Sequence, residues 1–197
     1  MPKTISVPTR CTLCPRRCGA DRAAGRTGFC GAGATLKAAR AALHHWEEPC
    51  ISGEEGSGTV FFSGCPLQCV FCQNHQISAE CYGKEISIER LSEIFLELQN
   101  QGANNINLVT GGHFVPQIIQ ALDMVRRDLK IPVVYNSSGY ETVETLRMLK
   151  GYVDIYLPDI KYFSPERSKR YSHAPDYFEV ASKAVQEMFS QVGAVEF

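Results

Sequence analysis

The sequence predicts an α/β fold: a partial (βα) barrel with about four βα units, preceded by an irregular, cysteine-rich N-terminal arm. Three observations lead there. From Thr59 onward, short apolar runs alternate four times with segments of helical periodicity, the signature of parallel βαβ units. A polar or glycine-rich motif closes each apolar run. In parallel sheets the chemistry gathers at the C-terminal ends of the strands, where these motifs fall. Before residue 57 the alternation is absent, which divides the chain into an arm, residues 1–56, and a core, residues 57–197.

Within the arm, "ATLKAARAAL" is the one stretch with helix-forming composition and reads as a short helix. "SGEEGSG", residues 52–58, reads as the loop that ends the arm. "TVFFSG" is the first buried strand of the core. "SIERLSEIFLELQNQG" places Leu91, Ile94, Phe95 and Leu98 on one helical face, with Ser87 as N-cap and Gly102 as stop. "NINLVTGG" is the second strand. "VPQIIQALDMVRRDL" is the second helix, with Ile118, Ile119, Leu122, Val125 and Leu129 on one face. "IPVVYNSSG" and "ETVETLRMLKG" supply the third strand and helix, and "VDIYLPDIK" and "PDYFEVASKAVQEMFSQVG" the fourth. Four units are too few to close a barrel, so the expectation is a partial barrel or a truncated chain.

Length and composition bound the function. A chain of 197 residues supports one good core. Its 44% apolar and 21% charged residues exclude a disordered chain. A net charge of −1 argues against a generic nucleic-acid binder. No apolar run approaches the roughly 20 residues that span a bilayer, and "MPKTISVPTRC" lacks an apolar signal core, so a cytoplasmic protein without membrane attachment is expected. In a reducing compartment nine cysteines are not read as disulfides by default. They fall into two groups, Cys11, Cys14, Cys18 and Cys30, and then Cys65, Cys69 and Cys72. Cys50 and Cys81 stand alone and read as incidental small residues, with either able to replace Cys30 should it lie too far away. Trp46, His44 and His45 read as packing and surface residues.

"GCPLQCVFCQN", residues 64–74, spaces Cys65, Cys69 and Cys72 as C-x3-C-x2-C. Chance alone gives such a triplet about 0.02 times in a chain of this composition. Iron–sulfur cubanes usually take four thiolates, so three leave one iron open to an outside ligand. The alternative is a zinc site that takes His75 as its fourth ligand, or a set of buried free thiols. C-x3-C-x2-C after the first strand of a βα barrel resembles the radical S-adenosylmethionine (radical SAM) superfamily. The resemblance implies a [4Fe–4S] cluster on Cys65, Cys69 and Cys72, with S-adenosylmethionine chelating the open iron and its sulfonium cleaved to a 5′-deoxyadenosyl radical. It implies Phe71 as the aromatic near the adenine, and an external one-electron reductant such as a flavodoxin or ferredoxin.

The other motifs extend that resemblance. "VTGGH" matches the family's Gly-Gly-Glu at Gly111 and Gly112, whose backbone carbonyls are expected near the methionine ammonium. His113 stands where the family has Glu, and a neutral imidazole offers one acceptor and no negative charge. "NSSGY" supplies Asn136, Ser137 and Ser138, suited to a ribose or carboxylate, although an N-capping turn accounts for them as well. "PDIKY" resembles the Asp-x-Lys segment of enzymes that activate glycyl-radical partners, such as pyruvate formate-lyase activating enzyme. There Asp159 and Lys161 would lie near the ribose and carboxylate of S-adenosylmethionine; a surface ion pair is the plain alternative.

"CTLCPRRC" with Cys30 gives C-x2-C-x3-C-x11-C, four thiols able to close a zinc site or hold a second cluster. This head together with "EEPCISGEEGSGTVFFSGCPLQCVFCQN" resembles a branch of radical SAM proteins related to pyruvate formate-lyase activating enzyme. The expected activity is hydrogen abstraction from a glycine of a partner protein, a glycyl-radical enzyme, or from a small molecule. The competing reading is a non-catalytic iron–sulfur or zinc protein, an electron carrier or a structural module.

Overall fold

The computed structural model describes residues 6–194. One six-stranded sheet organises them, in the order β3-β1-β2-β4-β5-β6. In chain order the elements are β1 (Leu36–His44), the one-turn helix α1 (Pro49–Ser52), β2 (Ser57–Phe62), the one-turn helix α2 (His75–Ser78), β3 (Lys84–Ile86), α3 (Ile88–Asn100), β4 (Ile106–Val109), α4 (Val115–Val125), β5 (Val133–Ser137), α5 (Val143–Met148), β6 (Ile155–Pro158), α6 (Pro165–Ser172) and α7 (Tyr177–Val192). β2, β4, β5 and β6 run parallel, as the four-fold alternation predicts. The sheet is open, consistent with a partial βα barrel. Among the described residues no helix is long and apolar enough to cross a membrane.

The helix expected over "ATLKAARAAL" is not formed: Leu36–His44 is a strand. It pairs antiparallel with β2 on one side and with β3 on the other. Alanine-rich composition favours a helix by only tenths of a kcal/mol per residue. Against that stands the free edge of β2, whose donors and acceptors would otherwise lack a partner. Leu36 and Ala38 alternate into the core, the period-two pattern of a strand, and a register shift between Ala38 and Arg40 bends it. The one-turn helices α1 and α2, the short β3 and the helix α6 carry too little periodicity to be read from sequence.

The helices of the core follow their sequence signals. Ser87 caps α3, its hydroxyl accepting from the Arg90 amide at 3.0 Å. Leu91, Ile94, Phe95 and Leu98 of α3 are buried, as are Ile118, Ile119, Leu122 and Val125 of α4. Both helices cover one face of the sheet, against Val60, Phe62, Ile106 and Leu108. Each such side chain contributes about 1.5–3 kcal/mol when fully buried. A cap contributes ~1 kcal/mol, so packing rather than capping holds these helices in place. The opposite face of the parallel strands carries Phe61, Val109, Asn136 and Leu157, and it is open.

Candidate active site

That open face forms a cavity of about 670 Å³, within the usual range for small-ligand sites. The loop after β2 brings Cys65, Cys69 and Cys72 to its wall together with Phe71. Cys65 and Cys69 are buried and Cys72 is half-buried. Gly64 starts this loop at φ +86°, and a side chain there would stand 2.1 Å from the Cys30 carbonyl oxygen. Gln68, between the first two cysteines, holds φ +47°, a conformation few side chains adopt. Its amide donates to the Phe29 carbonyl at 2.8 Å, so the arm supports the strained turn. Burial pushes the Cys65 thiol up to about 11, and Cys69 and Cys72 add to the rise. Burial therefore keeps Cys65 protonated as it stands, and binding a metal there would displace that proton.

The other strand ends reach the same cavity. Asn136 near the end of β5 and Ser138 just after it, and Asp159 and Lys161 after β6, all line it. Lys161 Nζ donates to Asp159 Oδ2 at 2.6 Å, so the two form an ion pair with each other at the cavity. Tyr177 ties the two loops: its hydroxyl sits 2.6 Å from the Ser138 carbonyl and 2.9 Å from that of Asp159, and accepts from the Lys161 amide at 2.9 Å. Gly139 lets the loops approach, since a Cβ there would lie 2.9 Å from the Asp159 carbonyl.

Gly111 and Gly112 sit beneath the wall rather than on it. A Cβ on Gly111 would meet Ile118 at 2.7 Å, and one on Gly112 would meet the Glu141 carboxylate at 2.4 Å. Thr110, at φ +58°, is the residue of this turn that lines the cavity. His113 is fully enclosed, its Nε2 2.8 Å from the Ser63 carbonyl. A carbonyl only accepts, so Nε2 carries the proton and Nδ1 is bare. Burial pulls this imidazole down to about 4, so it is neutral. Glu141, behind Gly112, is pushed up to about 7 by burial, although Ser137 and Tyr135 hydrogen bonds oppose the rise.

Two residues that sequence reasoning passed over belong to the site. Glu47 follows β1 and lines the cavity, its Oε2 accepting from Asn107 at 2.5 Å and Asn136 at 2.9 Å. Nothing local to Glu47 in the sequence marks it, because both partners come from distant strands. Arg16, between two cysteines of the arm, reaches the cysteine loop; its Nε donates to the Pro66 carbonyl at 2.8 Å. His75, the candidate fourth ligand for zinc, is turned toward Glu80 at 3.3 Å and does not line the cavity. Trp46 is on the surface at the cavity rim and His44 packs edge-on against Phe61.

The arm cysteines also gather. Cys11, Cys14 and Cys30 are buried and Cys18 is exposed. Gly28 makes room for them: a Cβ there would meet the Cys18 sulfur at 2.8 Å and the Cys30 sulfur at 3.9 Å. Burial pushes Cys14 up to about 12 and Cys30 up as well, with neighbouring thiols of the group adding to both. Cys81 lies against this group, its thiol 3.7 Å from the Cys30 carbonyl. Among the described residues no three His, Cys, Asp or Glu side chains converge closely enough to hold a metal ion as they stand. Both thiol groups are therefore gathered but not closed around a centre. The donor chemistry of the triplet, soft thiols on a roomy cavity with polar groups opposite, fits an iron–sulfur cluster with a ligand beside it.

Comparison with known proteins agrees. Residues 59–192 match the radical SAM superfamily. The chain is 34% identical over 181 residues to an uncharacterized protein of Methanocaldococcus jannaschii, a match covering 88% of this chain. It spans about half, 52%, of that relative's length.

Proposed function

Since the chain belongs to the radical SAM superfamily, we propose that it holds a [4Fe–4S] cluster on Cys65, Cys69 and Cys72 and cleaves S-adenosylmethionine there. The observation that carries this reading is the shared wall: the three thiols and the strand-end groups Asn136, Ser138, Asp159 and Lys161 line one cavity. When bound and reduced, such a cluster would supply the electron that splits the sulfonium of S-adenosylmethionine into methionine and a 5′-deoxyadenosyl radical. Three cysteines would leave one iron of such a cluster without a protein ligand, available to a ligand in the cavity that the triplet lines. Phe71 offers an exposed ring for the adenine, braced edge-on by Tyr162 and Tyr171. Lys161 offers a donor to a carboxylate and Asp159 an acceptor to a ribose hydroxyl; binding would exchange their mutual ion pair for these contacts. Gly111 and Gly112 act by close packing that sets the path of the Thr110 backbone. With His113 neutral and turned to Ser63, a ligand ammonium would take its negative partner from the carboxylates that line the cavity, among them Glu47.

The finer reading is an activating enzyme related to pyruvate formate-lyase activating enzyme. It would take an electron from a flavodoxin or ferredoxin and abstract hydrogen from a glycine of a partner protein or from a small molecule. The arm cysteines Cys11, Cys14, Cys18 and Cys30 would hold a second metal, zinc or a further cluster. The orientation of His75 toward Glu80 weighs against the zinc reading that takes His75 as the fourth ligand of the triplet.

The test is anaerobic reconstitution with iron and sulfide, followed by iron and zinc counts and a 5′-deoxyadenosine assay. The proposal expects one cubane at the triplet and product formation after reduction. Cys69→Ala should abolish cleavage. Full turnover in that variant, or a four-sulfur cluster that ignores S-adenosylmethionine, would refute it.

A further inference from the structure

The side chains around Cys69 form a brace that no sequence motif announces. Ser172, at the end of α6 and fully buried, donates its hydroxyl to the Cys69 sulfur at 2.9 Å. Tyr162 lies 2.6 Å from the same Ser172 oxygen. Ser172 has one proton, and the sulfur takes it; Tyr162 must therefore be the donor in the second bond. The result is a directed chain, Tyr162 to Ser172 to Cys69, in which each bond polarises the next.

The backbone of Ser172 is held from the arm. Arg16 donates from Nη2 to the Ser172 carbonyl at 2.7 Å, from Nη1 to the His173 carbonyl, and from Nε to the Pro66 carbonyl at 2.8 Å. One planar guanidinium thus ties the cysteine loop to the end of α6. Its own plane is fixed by the Phe29 ring at 4.2 Å and the Tyr140 ring at 5.3 Å. A second tie runs from the Val70 amide to the Tyr171 carbonyl at 2.9 Å. His173 closes α6 in the left-handed conformation, which turns its carbonyl and that of Ser172 outward to the guanidinium.

We infer that Arg16, Ser172 and Tyr162 are positioning residues that set the reduction potential of the cluster through the Cys69 sulfur. This rests on the reading of Cys65, Cys69 and Cys72 as cluster ligands. An O–H donor on a ligand sulfur withdraws charge and stabilises the reduced cluster, so its loss lowers the potential. Lysine cannot replace Arg16, because a single ammonium does not present a fork to three carbonyls.

The test uses the full chain, reconstituted without oxygen, with the midpoint potential followed by the EPR signal of the reduced cluster. Ser172→Ala should keep wild-type iron content and move the midpoint to more negative values. Tyr162→Phe should move it in the same direction by a smaller amount. Arg16→Lys should release iron to a chelator several-fold faster than wild type. An unchanged midpoint in both Ser172→Ala and Tyr162→Phe overturns the inference while the cluster reading stands. Should Ser172→Ala fail to fold, Tyr162→Phe decides alone: a negative shift supports the brace and no shift overturns it. A wild-type chain that takes up no cluster on the triplet defeats the reading beneath, and the brace with it.

Discussion

At the scale of single residues, the site is shaped by what cannot be substituted. Gly64→Ala would force a left-handed alanine into the Cys30 carbonyl. We expect a loss of more than about 1 kcal/mol in urea denaturation and reduced iron uptake, because the cysteine loop must shift. Two buried titratable groups flank Gly112 and pull in opposite directions. Glu141 has its folded value raised to about 7, so the unfolded chain releases its proton first and stability falls as pH climbs from about 4.5 to 7. His113 has its folded value lowered to about 4, so the unfolded chain binds a proton first and stability falls as pH drops from about 6.5 to 4. Glu141→Gln should remove the first slope and leave the second. Denaturation of that variant between pH 4 and 7 should show stability rising with pH, and an unchanged wild-type profile would contradict the assignment.

At the scale of elements, the helices are packed more than they are capped. Ser87→Ala removes the hydroxyl that satisfies the Arg90 amide and should cost about 1 kcal/mol by thermal denaturation. Leu91→Ala on the same helix empties a fully buried position and should cost roughly 2–5 kcal/mol in the same measurement. Equal losses in the two variants would show that packing does not outweigh capping in this helix. The parallel strands matter for what they leave at their C-terminal ends. Tyr177 of α7 fixes two of those ends at once, which is why a helix outside the sheet bears on the cavity.

At the scale of the whole molecule, residues 6–56 are woven into the sheet rather than hung upon it. β1 lies between β2 and β3, and Arg16 and Phe29 grip the cysteine loop. Arg22 adds a fully buried guanidinium that donates to the Gly33 carbonyl at 2.7 Å and the His113 carbonyl at 2.5 Å. Proteolytic cleavage between residues 45 and 56 should therefore leave the two pieces associated in native gel filtration. Separation into two folded pieces would show that the arm is a separate unit.

The sequence by itself determined the parallel core, the four strand ends and the cysteine triplet. These are local facts: the period of apolar residues fixes an element, and C-x3-C-x2-C fixes a loop of thiols. It set Asn136, Ser138, Asp159 and Lys161 at strand ends, because register follows from topology once the strands are parallel. Only the tertiary structure decided the rest. β1 is a strand because a neighbouring edge needed a partner, which outweighs weak helix propensity. Glu47 reaches Asn107 and Asn136, and Arg16 reaches Ser172, across 60, 89 and 156 positions of chain. No periodicity encodes such pairs; they exist because packing brings distant side chains to one place, and burial then obliges polar groups to find each other.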